Sequence, residues 1–328
     1  MKKRSLLALI LVLFTIISLT SISPIYSQNT GYYRLVVLAD LHWPSKVKKT
    51  AKKVGKKGIN SVKTDKIIAA KTRAVEEINR WDDVDEVVLL GDIVAQTGSE
   101  SEYTATRQFV SRINKPVVYL PGNHDYLYRD SLAKKKLVRA NRETQSLKLE
   151  RFRQTFGQDF LYFSKRVGSC LLIYLATDKL ETKFSAEISQ QQLDWLRKQL
   201  GANSKVPTII FFHAPLANTL KEQKSEAKES KRFAQPVQQI DALLKDNPQV
   251  FMWVSGHTHT RATNPGFKSV LNYYQGRVLN VHNSSLDQKT IWTNSYYLHP
   301  DKVVIRTYNH QTKQWVNELE REVLLPRL

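Results

Sequence analysis

Side chains that commonly bind transition metals occur in five short blocks along this chain of 328 residues. The blocks are Asp40-Leu41-His42, Gly91-Asp92, Gly122-Asn123-His124-Asp125, His213 and Gly256-His257-Thr258-His259. Imidazole and carboxylate ligands suit ions such as Zn, Fe and Mn, and these ions catalyse hydrolysis by activating water and stabilising negative charge. One such block is a weak signal, but five blocks together indicate a hydrolytic metal site.

The spacing of the ligand-type residues suits a pair of metal ions. Asp92 can bridge two ions, because a carboxylate has two oxygens whereas an imidazole offers one nitrogen to one ion. Asp40 and His42 are two residues apart, as are His257 and His259. If these pairs lie on strands, both members of each pair point to the same face and can reach one site.

The elements that must position these blocks are strands. Each block follows an apolar run that predicts a buried strand. The runs are Leu35 to Ala39, Val87 to Leu90, Val117 to Leu120, Thr208 to Phe212 and Val250 to Val254. Helical patterns separate the first three runs, and the resulting β-α-β-α-β order favours a largely parallel sheet. Ligands bind outside the carboxyl ends of the strands in such sheets, so we expect the blocks to converge there.

The remaining patterns complete the predicted architecture. Thr64 is a possible N-cap of the first helix, and Gly201 is placed well to end a helix that contains Leu193 and Leu196. From Tyr273 onward, apolar and alternating runs predict successive strands, which we expect to form a second sheet that covers the first. Neither an internal repeat nor a shift in composition marks a second domain.

In this order, the five blocks resemble the calcineurin-like metallophosphoesterase superfamily, whose signature is D-x-H, G-D, G-N-H-D/E, H and G-H-x-H. The resemblance runs from Leu35 to His259. It implies an α/β fold, a four-layer α-β-β-α sandwich of two mixed sheets flanked by helices, with the metal site at the carboxyl ends of the central strands. It also implies a hydrolase of phosphoester bonds, either a phosphodiesterase or a phosphatase, that uses two metal ions such as Mn, Fe or Zn.

The resemblance further implies a role for each motif residue. Asp40, His42, Asp92 and His259 would hold one metal, and Asp92, Asn123, His213 and His257 would hold the other. A hydroxide between the two metals would attack phosphorus in line. His124 is not a ligand in this scheme, but faces the substrate and stabilises phosphoryl charge or protonates the leaving oxygen. Asp125 would hold the ring of His124 and raise its pKa.

Several residues near the motifs have less specific signals. Ile93-Val94-Ala95 follow Asp92, so the tyrosine that purple acid phosphatases place there as an iron ligand is absent, which argues against that subgroup. His282 ends a predicted strand that could also reach the crevice, whereas packing or surface roles are favoured for His299 and His310. Trp43 could stack on a substrate or pack in the core. A buried, inert thiol is the better interpretation of Cys170, the only cysteine.

The charge of the chain favours anionic partners. The formal net charge is +20, from 50 lysines and arginines against 30 aspartates and glutamates. It suits a phosphorylated small-molecule, nucleotide or lipid substrate, and basic segments at 46–57 and 129–153 could also contact an anionic surface. The lysine pairs of the first segment fit either a solvated stretch or a collar that attracts phosphate. No protein partner is inferred.

The first residues predict export. A basic start, Lys2 to Arg4, is followed by an apolar stretch from Leu6 to Leu19, as in a signal peptide covering residues 1–27. Residues 28–328 would then be a single catalytic domain. The alternative is an uncleaved membrane anchor, since the apolar stretch approaches the roughly 20 residues that span a bilayer. In both cases we expect the catalytic domain outside the cytoplasm: secreted, periplasmic or at the cell surface.

Two alternatives to an active enzyme are open on the residues alone. One is a basic protein that binds nucleic acid or a surface and uses metals only as structural ligands. The other is an inactive family member that acts as a binder, although every signature ligand is present here. Turnover of a phosphoester distinguishes the enzyme from both.

Overall fold

The computed structural model describes residues 31–45, 57–130, 136–220 and 232–328. The predicted signal or anchor at 1–27 and almost all of the basic segment 46–57 lie outside these residues. Within them, the strands are β1 Tyr33–Ala39, β2 Glu86–Leu90, β3 Val117–Leu120, β4 Phe163–Val167, β5 Cys170–Tyr174, β6 Thr208–Phe211, β7 Val250–Ser255, β8 Tyr273–Tyr274, β9 Val278–His282, β10 Trp292–Leu298, β11 Lys302–Asn309, β12 Gln314–Trp315 and β13 Arg321–Leu324. The helices are α1 Lys57–Asn79, α2 Glu100–Val110, α3 Asn123–Tyr126, α4 Arg142–Phe156, α5 Gln190–Ala202 and α6 Val237–Asp246.

The strands form two mixed sheets. The first sheet has the order β12-β11-β10-β1-β2-β3, with β13 beside β11, and β1, β2 and β3 in it are parallel. The second sheet has the order β4-β5-β6-β7-β9-β8, with β5, β6, β7 and β9 parallel. Parallel strands followed by helices bring several carboxyl strand ends to one edge, which is where the motif blocks lie.

The alternation of side chains along the strands builds three apolar layers. On β1, Leu35 and Val37 face the second sheet and pack in one cluster with Phe211 and Met252. The outer side of the first sheet packs against α1, α2 and α4, and the outer side of the second sheet packs against α5 and α6. Burying both faces of each central strand explains why their sequences are continuous apolar runs. The predicted four-layer α-β-β-α sandwich is therefore confirmed.

The final strands do not form a sheet of their own. β10 and β11 join the first sheet, because β10 pairs antiparallel with β1, while β9 joins the second sheet beside β7. The expectation that the strands after Tyr273 make up the covering sheet was wrong. An apolar run reports that a strand is buried, but it carries no information about which neighbour the strand pairs with.

Two predicted helix boundaries were also wrong. Helix α1 begins at Lys57, so Thr64 lies inside it and is not its N-cap. Helix α5 continues through Gly201 and ends at Ala202. A glycine costs roughly 1 kcal/mol in a helix relative to alanine, which the packing of Leu193, Leu196 and Leu200 readily offsets. Among the described residues, no helix has both the length and the apolar character of a membrane span.

Candidate metal centre

The five motif blocks meet where strands of both sheets end. The blocks after β1, β2 and β3 come from the first sheet, and those after β6 and β7 come from the second. Backbone hydrogen bonds join the loops. Asp40 N–H donates to Gly91 O at 3.2 Å, and His42 N–H donates to Asp92 O at 2.8 Å. Between the sheets, His257 N–H donates to Asp40 Oδ2 at 2.8 Å.

The sequence suggested that strand alternation brings both members of each ligand pair to one face. The structure positions the pairs differently. β1 ends at Ala39 and β7 ends at Ser255, so both pairs lie in loops. Asp40, His42, His257 and His259 have φ values of 51°, 44°, 64° and 52°. Such left-handed backbone costs of order 1–3 kcal/mol for each residue that is not glycine, and it persists where the surrounding structure enforces it. The strain is concentrated in the residues that carry the proposed ligands.

One group of side chains consists of Asp40, His42, Asp92 and His259, whose ligand atoms all lie within 4.8 Å of one another. His42 Nε2 is 3.5 Å from Asp92 Oδ2 and 3.3 Å from His259 Nε2. His259 Nε2 is 3.2 Å from Asp40 Oδ1. Two carboxylates and two imidazoles at these distances can surround one transition-metal ion.

A second group consists of Asp92, His213 and His257. His213 Nε2 is 3.4 Å from Asp92 Oδ1, and His257 Nδ1 is 3.0 Å from His213 Nε2. Asp92 therefore turns one oxygen toward each group, Oδ2 toward His42 and Oδ1 toward His213. This is the arrangement that a carboxylate shared by two metals requires.

Unsatisfied buried atoms test whether metals fit these residues. Asn123 Oδ1 is buried and accepts no hydrogen bond, and the buried Asp40 Oδ1 has His259 Nε2 beside it at 3.2 Å. A buried acceptor without a partner costs about 1–3 kcal/mol, and a cation at Asn123 Oδ1 would remove that cost. His42 Nδ1 lies 3.2 Å from Ala95 O, and His213 Nδ1 lies 3.1 Å from Leu90 O. Donation from Nδ1 leaves the Nε2 lone pairs for a metal, as in many histidine sites.

The charges of the cluster are strongly coupled. Burial raises the pKa of Asp92, but His213 and His124 outweigh it and hold that pKa well below its usual value. Burial lowers the pKa of His213, but Asp92 and Asp40 outweigh it and raise that pKa to about 9. Since metal ligands must be deprotonated, metal ions would displace the proton of His213, and binding would release it.

Close approach between the loops explains one motif glycine. Gly91 has φ +73°, and a Cβ atom there would lie 2.2 Å from His213 Nδ1. Any side chain at this position would displace the His213 ring from Asp92. The glycine is therefore required by the packing of a residue from the other sheet.

His124 lies beside the cluster but outside both groups. Its backbone N–H donates to Asp92 Oδ1 at 2.8 Å, and its Nδ1 lies 2.6 Å from Gln96 O. Its Nε2 lies 4.0 Å from Asp92 Oδ2, and its side chain is 10% exposed. The contact with Gln96 O thus fixes the His124 ring through Nδ1 and leaves Nε2 at the edge of the site.

The structure contradicts the predicted role of Asp125. Its Oδ1 accepts hydrogen bonds from the N–H groups of Ile93 and Val94, both at 3.0 Å, and its Oδ2 accepts one from Gly122 N–H at 2.7 Å. This carboxylate joins the loops after β2 and β3 and does not hold the ring of His124. Burial, followed by the charge of Asp92, raises the pKa of Asp125 to about 7. The atom that orients the His124 ring is the backbone oxygen of Gln96. A sequence motif does not reveal which backbone atoms form such contacts.

The other candidate residues lie in the core or pack against it. His282 is buried with Nε2 3.1 Å from Thr219 O, and His310 Nδ1 lies 2.7 Å from a Glu77 carboxylate oxygen. The Trp43 ring stacks on Phe109 with 3.5 Å between centroids. Cys170 is buried in β5, and burial raises the pKa of its thiol to about 12. These positions support packing roles, as expected for His310 and Cys170.

Comparison with known proteins connects this site to a family. The family profile described as calcineurin-like phosphoesterase matches residues 33–261. No curated protein sequence matches. Among solved structures, the chain is similar to a dimetal phosphatase from Danio rerio, with 14% identity and a TM-score of 0.57 over 90% of this chain and 99% of that one.

Two further structures share the architecture. One is a purple acid phosphatase from yellow lupin (Lupinus luteus) seeds, with 13% identity and a TM-score of 0.55 over 89% of this chain and 54% of that one. The other is PhoD, with 10% identity and a TM-score of 0.54 over 90% of this chain and 72% of that one. At these identities the structures establish the fold, while the profile covers most of the sequence. The chain belongs to the calcineurin-like phosphoesterase family, and it is a hydrolase of phosphoesters with a dinuclear metal centre.

Proposed function

We propose that this protein is an exported hydrolase in which seven side chains hold two metal ions and His124 assists the reaction on the substrate. The proposed ligands are Asp40, His42, Asp92, Asn123, His213, His257 and His259. The observation that carries the assignment is the position of Asp92, whose two carboxylate oxygens face two different groups of histidines.

The chemistry follows from the donors at the site. Two metal ions bound there would activate water as a nucleophile and stabilise the negative charge of the phosphoryl group. His124 can contribute a proton from Nε2 when its ring is charged, because Gln96 O then accepts from Nδ1–H. Nε2–H then points toward the site and can donate to a phosphoryl or leaving oxygen. Asp125 contributes by holding the two loops that carry Asp92 and Asn123.

The substrate class and the location rest on charge and on the first residues. A net charge of +20 favours phosphorylated substrates, including small molecules, nucleotides and lipid phosphates. Two-metal hydrolysis suits both monoesters and diesters, so both are candidate substrates. The basic segments also suit an anionic surface, and the signal-like residues 1–27 support export to the periplasm, the cell surface or the medium.

The test of the enzymatic proposal is metal analysis combined with two assays. The purified protein should contain about two transition-metal ions per chain, and it should hydrolyse a chromogenic phosphomonoester or phosphodiester when Mn, Zn or Fe is supplied. Asp92→Asn should lose metal and turnover together. A wild-type protein without metal and without turnover on either ester would contradict the proposal. Binding of nucleic acid that survives Asp92→Asn, without turnover, would identify a binding protein instead.

The test of export is the N-terminal sequence of the protein recovered from cells. A start near Gln28 means that the signal is cleaved, and an intact Met1 in the membrane fraction means that the segment is an anchor. Recovery of the protein from the cytoplasm alone would contradict both forms of the proposal.

A further inference from the structure

Asn123 differs from the other proposed ligands because its two terminal atoms are not equivalent. The amide Oδ1 can bind a metal, but Nδ2 carries two hydrogens and cannot. A half-turn of the amide exchanges the two atoms at almost no steric cost. Burial and backbone placement alone therefore do not guarantee that oxygen faces the metal. Here Oδ1 is buried without a hydrogen bond, and Nδ2 donates to the Tyr128 hydroxyl at 3.2 Å.

The Tyr128 hydroxyl is the hydrogen-bond partner of the Asn123 side-chain nitrogen. A phenol oxygen can accept, and here it accepts from Nδ2–H, so the amide oxygen is turned away from Tyr128. This contact distinguishes the two ends of the amide, because Oδ1 has no hydrogen bond of its own. The Tyr128 ring is also packed against the site, 5.2 Å from the ring centroid of His124.

Described residues of the basic segment 129–153 fix the backbone of Tyr128 from two sides. Lys148 of α4 is buried, and its Nζ donates to Tyr128 O and to Thr97 O, both at 2.6 Å. On the other side, Tyr128 and Arg139 form an antiparallel bridge. Its flanking bonds are Arg129 N–H to Val138 O at 2.9 Å and Ala140 N–H to Leu127 O at 3.0 Å. The described residues of the basic segment 129–153 thus hold the phenol against the amide.

We propose that Tyr128 is a positioning residue of the metal centre, which holds the Asn123 amide with Oδ1 turned toward the metal bound by His213 and His257. The inference rests on the proposed ligand set. A metal on Oδ1 withdraws electrons from the amide and makes Nδ2–H a stronger donor, so the Tyr128 contact strengthens when metal binds. Partners of this kind typically change metal affinity or activity by 10- to 100-fold when removed.

The direct test is Tyr128→Phe, which removes only the hydroxyl oxygen. We expect the affinity for one of the two metals to fall about 10-fold, with the other unchanged, in Zn²⁺ competition against a chromophoric chelator. Turnover at fixed metal should show a lower kcat and a nearly unchanged KM. Wild-type affinity for both metals together with wild-type kcat would overturn the inference.

A neighbouring tyrosine provides a matched control. Tyr126 lies on the same short helix as Asn123, α3, is buried, and donates its hydroxyl hydrogen to Lys179 O at 2.9 Å. Tyr126→Phe should bind both metals as the wild type does, even if its melting temperature falls. A loss of metal affinity in Tyr126→Phe equal to that in Tyr128→Phe would mean that the effect is a general loosening of the segment, and would overturn the inference.

Replacing the amide by a carboxylate gives an independent test. In Asn123→Asp both terminal atoms are oxygens, so the orientation no longer matters. Tyr128→Phe should therefore cost clearly less metal affinity in the Asn123→Asp background than in the wild type. Equal losses in both backgrounds would overturn the positioning role. Failure of the ligand set itself would appear differently, as a wild-type protein that binds fewer than two metals.

Discussion

Asn123 and His124 are adjacent in the chain, yet the structure gives them different tasks. Asn123 offers an amide oxygen without a hydrogen bond inside the buried cluster, while His124 places Nε2 at its partly exposed edge. The motif specified both residue types. The hydrogen-bond partners that orient them, Gln96 O and the Tyr128 hydroxyl, belong to residues outside the motif.

His124→Ala should separate catalysis from metal binding. We expect kcat to fall by about 10²- to 10³-fold, because a positioned proton donor is lost. The number of bound metals should stay at the wild-type value, since the backbone N–H of residue 124 still donates to Asp92 Oδ1. Metal content by atomic emission, measured on the same samples as kcat, checks this. Parallel loss of metal and activity would show that His124 is a ligand.

His282 should make stability depend on pH. Burial lowers its pKa to about 4 in the folded protein, against about 6.5 in the unfolded chain. Between these values the unfolded state binds a proton that the folded state does not bind. The free energy of unfolding should therefore be unaffected by this group above pH 6.5 and should fall by about 3 kcal/mol as the pH drops to about 4.

Urea unfolding with a chelator present measures this contribution without interference from metal loss. The wild type and His282→Gln are compared at pH 7 and at pH 4.5. We expect the variant to lose clearly less stability over this interval, whatever constant amount the substitution costs at pH 7. An identical pH dependence in the two proteins would exclude His282 as the source.

Buried lysines connect helices to the loops of the site. Lys71 of α1 donates to His42 O at 3.0 Å and to Pro44 O at 2.9 Å, and pairs with Asp287 at 3.0 Å. Lys148 of α4 makes equivalent bonds on the other side of the site. Each helix thus supports a ligand-bearing loop through a charged side chain in addition to its apolar face.

Lys71→Met should destabilise the protein by about 3–5 kcal/mol, because it leaves the buried Asp287 carboxylate without its cation. Adding Asp287→Asn should recover part of this loss. Lys66→Met is the matched control on the same helix, where the side chain is exposed and the change should stay within about 0.5 kcal/mol. Chemical denaturation of the four proteins measures these differences. Equal effects at positions 71 and 66 would contradict the role of the buried pair.

Among the secondary-structure elements, the sequence predicted the strands that precede the motifs more accurately than it predicted helix boundaries and strand pairing. β1, β2, β6 and β7 are buried on both faces, so each is a continuous apolar run with a clear end. No comparable local pattern in the sequence marks the start of α1 or the sheet to which β10 belongs. Strand partners are chosen by contacts between distant segments, and a local pattern does not record them.

In the molecule as a whole, the metal centre lies at the junction of the two sheets. Asp40, His42, Asp92 and Asn123 follow strands of the first sheet, whereas His213, His257 and His259 follow strands of the second. Metals bound by both groups would connect the sheets. Metal binding is then coupled to the stability of the entire fold.

Chelation should therefore lower the melting temperature of the intact protein. A metal present at about 1,000 times its dissociation constant stabilises the folded state by about 4 kcal/mol. Scanning calorimetry with and without EDTA measures the shift, and re-addition of Mn²⁺ or Zn²⁺ should reverse it. Asp92→Asn should respond much less to either treatment. A wild-type melting temperature that is insensitive to EDTA would contradict a centre that joins the two sheets.

The sequence by itself determined which residue types reach the site, their order along the chain and the strands that precede them. These features are local, because ligand chemistry depends on side-chain identity and strand burial depends on an apolar run. Only the tertiary structure decided that Asp40, His42, His257 and His259 have left-handed backbone conformations, that Asp125 binds backbone N–H groups, and that Tyr128 contacts Asn123. Those features depend on backbone atoms and on contacts between segments far apart in the chain, which a residue pattern does not encode.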